Sequence, residues 1–256
     1  MGNEHFTSED SIVRQIWGKS DTILFIFAGA SAEFALNKAV DWLYFTGKLP
    51  ADPLGRLFST VAYARQIVFA KAEAANRAID AMAAIHSAVE ANRGMRIPDW
   101  AYRDVLFMLI DYSIRSFEVL ERPLTIAEKQ EVFDVFNRVG TRMGLKGLPE
   151  DFAAWEIMRS EHLRENLRHS AYTDDLFKQY RKHLGLVRFQ ILRDVQILIA
   201  PPEVLQSLSR QKTSFVKQLL AFYKSSRLIH IDGLLRDMIL PSKYKTEIKS
   251  LNIAGR

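Results

Sequence analysis

Apolar residues along this chain recur at steps of three and four, and the every-second-residue alternation of a half-buried strand is scarce. That period belongs to helices with one face turned inward, so the chain is expected to be all-α, a single large domain of about ten to twelve helices. A short helix reads from Ser8 to Trp17, and Asp21 is placed to cap a longer one reaching Tyr44. Gly47 to Pro53 is a loop whose second proline can open the next helix, and an alanine-rich helical region then extends from Leu54 to about Asn92. Pro98 opens a helix running to Glu121. Thr125-Ile126-Ala127-Glu128 is a capping box, in which hydroxyl and carboxylate satisfy each other's amide donors, and its helix ends between Gly144 and Gly147. Further helices are expected at Glu150–His169, Thr173–Leu184, Leu186–Ile199, Pro202–Ser209, Thr213–Ser225 and Ile231–Ile239, with Pro241 stopping the last. No repeat, low-complexity run or flexible linker interrupts them. One domain over residues 1–256 follows, with 1–10 frayed and 241–256 a basic tail.

The most apolar stretch, Thr22 to Phe45, carries Glu33, Lys38 and Asp41. A bilayer span needs about 20 nearly uncharged residues, so a buried core helix is expected. The start of the chain is acidic and polar, unlike a secretory signal. The expected location is cytoplasmic. The 256 residues are 48% hydrophobic and 25% charged, an ordinary globular balance. The absence of cysteine excludes disulfides, thiolate zinc sites, iron–sulfur clusters and cysteine nucleophiles. The net charge of +5 is concentrated beyond Pro201, where ten Lys/Arg face four Asp/Glu. Such a segment can make peripheral contact with anionic lipid, although a solvated basic surface is the commoner meaning. No nucleic-acid-binding motif accompanies it.

Several chemistries are missing. There is no phosphate-cradling glycine loop, no GxSxG elbow and no HExxH pair. A di-iron bundle needs glutamate three residues before histidine on two helices. None of the six histidines has it.

One stretch concentrates the remaining signal. Leu57, Val61, Ala64, Val68, Ala72, Ala75, Ile79, Met82 and Val89 form one helical stripe, and His86 falls on it. Ala78, Ala81, Ala83, Ala84, Ser87 and Ala88 surround that histidine with small side chains, which let a flat, bulky group approach closely. Taken alone, a histidine on an apolar face is most often a core residue bonded to a carbonyl. Arg56 and Thr60 lie one turn apart, and an arginine there can pair with a carboxylate or extend to water. His162 and His169, seven apart among charges, are expected on one exposed helix face. Glu33 and Asp111 sit in apolar runs, where a buried charge is costly unless paired, so either is a site residue or the partner of a core arginine such as Arg115.

The segment DPLGRLFSTVAYARQIVFA (Asp52 to Ala70), followed by AIHSAVE (Ala84 to Glu90), resembles the latex-clearing-protein / MpaB-type oxygenase family, with its R-x-x-x-T helix after D-P and its later H-x-x-V helix. The resemblance extends from about Trp17 to Lys245 and includes AEFALNKAV (Ala32 to Val40). It implies helices packed around a buried pocket for haem b, with His86 as the axial iron ligand and Arg56 and Thr60 at the haem or distal pocket. Thr60 would then donate a hydrogen bond to oxygen and Arg56 would pair with a propionate. It also implies oxygenase chemistry with O2 on an apolar, unsaturated, lipid or isoprenoid-like substrate. Three departures bear on substrate and distal chemistry: Ser59 where rubber-cleaving members have lysine, Asn37-Lys38 where many have His-Pro, and Phe107 to Asp111 where many have a Trp-Val-His-Ala run. A haem protein without turnover, or a helical membrane-surface protein, is the alternative.

Overall fold

Helix α2 (Ser20–Leu36) runs through the middle of the computed structural model, and its composition explains why. Ile23, Ile26, Phe27, Ala32, Ala35 and Leu36 point in every direction around its axis, and all are buried. A helix apolar on all sides needs neighbours on all sides. The structure describes residues 5–47 and 51–210, with 218, 220, 221, 223 and 224 beyond them; the side chains of Leu43, Arg56 and Leu57 fall outside that description. Ten helices occur among the described residues, with no strand and only isolated bridges at His5–Lys71 and Asn37–Leu167. The fold is all-α. Of the expected C-terminal helices, 213–225 is described at five residues only, while 231–239 and the basic tail lie outside the described residues.

Helix α6 (Asp99–Leu120) packs antiparallel on α2. Asn37 Nδ2 donates to Asp104 at 2.7 Å at one end, and Lys19 pairs with Glu121 at 2.9 Å at the other. The flank of α2 is covered by α9 (Ala171–Ile199), which is broken by Gly185 at φ +74°. Thr173 Oγ1 donates to the Ala35 carbonyl and Gln196 Nε2 to Ser31 Oγ, so both arms of α9 return to one stretch of α2. The two helices expected on either side of Gly185 are these arms. Short α1 (Ile12–Trp17) buries Trp17, whose indole N–H donates to Ser113 at 3.1 Å.

Two expected boundaries differ. The helix read from Asp21 to Tyr44 stops at Leu36 and resumes as α3 (Val40–Phe45). Asn37 is extended there; its amide group bonds Asp104 and the Ala39 N–H, and the Lys38 N–H donates to the Asn166 carbonyl. Nor does Asp21 cap α2. The N-cap is Lys19, without a side-chain bond. The alanine-rich region likewise divides into α4 (Pro53–Phe69) and α5 (Ala72–Arg93), because the Ala70 carbonyl is taken by the Phe6 N–H at 3.0 Å. Phe6 and Thr7 are both buried.

Helix α7 (Ile126–Arg142) starts from the capping box as expected. Arg122 and the Thr125 backbone both bond Glu128 and lower its carboxyl to about 2. Thr125→Ala should cost about 1 kcal/mol and lower the melting temperature by a few degrees, which a thermal denaturation curve would read. Helices α8 (Phe152–Glu165) and α10 (Pro202–Ser207) complete the set. Among the described residues, no helix is long and apolar enough to cross a membrane.

Candidate functional site

The stripe on α4 and α5 does what its spacing requires. Val61, Val68, Ala75 and Ile79 are buried, and further along α5 the same face emerges at half-buried Met82, His86 and Val89. Ala81, Ala84 and Ala88 lie exposed beside it. The His86 ring meets Tyr102, at the start of α6, edge-on with centroids 5.3 Å apart and planes at 82°. Tyr102 donates its hydroxyl to Glu90 Oε1 at 3.2 Å, and the same oxygen accepts the Ile97 N–H at 2.8 Å. Burial first, and then the Glu90 charge, push the Tyr102 phenol well above its ordinary value, so it stays a donor.

These residues line a cleft of about 400 Å³ between α5, the segment leading into α6 and the turn that follows α7. Ala83, Met143 and Leu145 give it apolar surface, while Arg96 and Lys146 stand exposed at its edge. Left-handed Gly94 ends α5 on one side, and left-handed Gly144 turns the chain on the other.

Asp52 caps α4 by accepting the Gly55 N–H at 3.0 Å, with Pro53 in the first turn. Helices α4 and α5 pack against each other, and the chain reverses at Ala70–Lys71. None of the described residues lining the cleft comes from α4, so Thr60 lies outside it. The Arg56 side chain is beyond the described part.

Of two buried polar clusters, the sequence marks Glu33, Asp111 and Arg115 of the first but not Arg159, and it does not mark the second. Arg159 of α8, 4% exposed, donates to both Glu33 and Asp111, at 2.5 and 2.9 Å; Arg115 also pairs with Asp111, and Tyr112 donates to Glu33. Burial alone would raise Asp111, but Arg159 and Arg115 outweigh it and hold the carboxyl below its ordinary value. The second cluster corrects the reading of His162 as a surface residue. It is 8% exposed, stacks on Phe107 at 5.1 Å and turns Nδ1 to Asp104, which also accepts from Asn37 and Asn166. It shares no helix face with His169, because α8 ends at Glu165. A phenylalanine third in an apolar run of α6 carries no mark that a histidine will stack on it.

The family model described as the catalytic domain of the ER-bound oxygenase mpaB/B' and rubber oxygenase matches residues 17–222. The chain belongs to this family. No curated protein and no solved structure matches it. The matched range includes every residue of the His86 cleft, together with Arg56, Thr60 and both buried clusters. An mpaB/rubber-oxygenase catalytic domain is an oxygenase domain, and here its described residues contain no group of three His, Asp or Glu able to hold a metal ion.

Proposed function

We propose that the chain is a haem b-dependent oxygenase acting with O2 on an apolar, unsaturated, lipid or isoprenoid-like substrate. The observation that carries the reading is the His86 imidazole, half-buried on an alanine-rich helix and lining a cleft. A protein-caged metal needs three or four side-chain ligands, whereas a porphyrin brings four nitrogens of its own and asks the protein for an axial one. One imidazole beside small side chains fits that requirement. Bound haem would supply the site at which oxygen is activated; the protein supplies the axial ligand, the pocket and the orientation of the substrate.

His86, neutral, would hold the iron through one ring nitrogen. Arg96 and Lys146 at the cleft edge are suited to carboxylates such as propionates, by charge-assisted hydrogen bonds. Thr60, on α4, lies outside this cleft and has no part in holding a group bound there. Met143 and Leu145 give one wall apolar surface for the apolar substrate. Cleavage of one carbon–carbon double bond by one O2 places an oxygen atom on each carbon and needs no added reductant.

The test is the visible spectrum of the purified protein loaded with haemin. Wild type should give a Soret band, and His86→Ala should lose most of it while keeping its helical circular dichroism. An unchanged band in His86→Ala would overturn the assignment. Oxygen uptake that depends on an unsaturated isoprenoid would separate turnover from haem binding alone.

A further inference from the structure

Resting on the assignment of His86 as the haem ligand, we infer that Tyr102, tied to Glu90, is a positioning residue that sets the plane of the His86 imidazole. Ligating histidines depend on neighbours that fix ring orientation, and the loss of such neighbours weakens the site. Here the neighbour is an aromatic ring. With the centroids 5.3 Å apart and the planes at 82°, the phenol packs against the imidazole and restricts its rotation about the Cβ–Cγ bond.

The tyrosine is itself held. Its hydroxyl donates to Glu90, one turn beyond His86 on α5, so the phenol is tied to the helix that carries the ligand. Glu90 cannot swing away without giving up the Ile97 N–H, and the backbone between them is fastened as well, with the Met95 N–H on the Glu90 carbonyl at 3.2 Å. The turn from α5 into α6 is thereby bolted to the helix that carries the ligand. The same carboxylate braces the turn and aims the imidazole through Tyr102.

The experiment compares haem-loaded wild type with Tyr102→Phe, Tyr102→Leu, Glu90→Gln and His86→Ala by electron paramagnetic resonance of the ferric protein and by haem titration. Tyr102→Phe removes the donor of this hydrogen bond, and Glu90→Gln replaces its charged acceptor with a neutral, weaker one. They should therefore shift and broaden the ferric signal in the same sense, each with its melting curve near wild type. Tyr102→Leu, which also removes the ring, should weaken haem binding about ten- to a hundredfold. Wild-type signals in both Tyr102→Phe and Glu90→Gln, with haem binding lost in His86→Ala, would overturn the positioning role and leave the ligand assignment intact. Haem binding undiminished in His86→Ala would remove both. Should Tyr102→Leu fail to fold, the two milder variants decide.

Discussion

Arg159→Met should destabilise the protein by about 3–5 kcal/mol, the usual cost of stripping one partner from a buried ion pair, and lower the melting temperature by roughly 10 °C. The guanidinium joins α8 to both α2 and α6 through Glu33 and Asp111, and all three side chains are almost wholly buried. Methionine fills similar space but leaves Glu33 with only the Tyr112 hydroxyl, and Asp111 with Arg115 alone. The pH dependence then changes sign. In wild type the Asp111 carboxyl lies below its ordinary value of 3.8, so its contribution is fully present above that pH and is lost as pH falls through the lower folded value. In Arg159→Met Asp111 is desolvated with less compensation, its folded value rises, and protonation relieves it. The gap between variant and wild type should narrow as pH is lowered from 7 towards 4, as read from denaturant midpoints. A constant gap would mean that the charges play no part.

Gly29→Ala is the second large effect, about 1–3 kcal/mol from overpacking. Gly29 of α2 faces Tyr112 of α6 with no room for a side chain: an added methyl would overlap the Tyr112 ring and touch Ile199 at 3.0 Å. The ring cannot retreat, because Tyr112 is fully buried and its hydroxyl is tied to Glu33 at 2.9 Å. Urea denaturation measures the loss directly. Adding Tyr112→Leu should recover part of it, since the two sites share one volume and their effects are not additive.

Legibility in the sequence followed the distance over which each feature is decided. The Thr125–Glu128 box and the break at Gly185 are made by residues a few positions apart, and both were readable. The stop at Asn37 was not, because its cause, Asp104, arrives from another helix. Burial of His162 was hidden for the same reason, since the charged residues around it in sequence are not the ones that surround it in space. Glu33 and Asp111 were recognisable as carboxylates needing cations, and Arg115 was the foreseeable partner of Asp111. Arg159, which serves both, lies in a stretch that reads as polar surface. At the candidate site the stripe exposed His86, while Tyr102 and Glu90 gained meaning only once α6 folded back against α5.

Arg93, at the far end of α5, lies 4.0 Å from the Trp42 ring and 5.3 Å from that of Phe45 while bonding Asp41 at 2.7 Å. Near the other end, Ala75 and Ile79 are sunk in the core. The rod carrying His86 is therefore moored at both extremities and has little freedom to tilt. Anything broad that enters beside the imidazole has to find its clearance on the opposite bank, where Gly144 already sits in a backbone conformation that bulkier residues rarely reach.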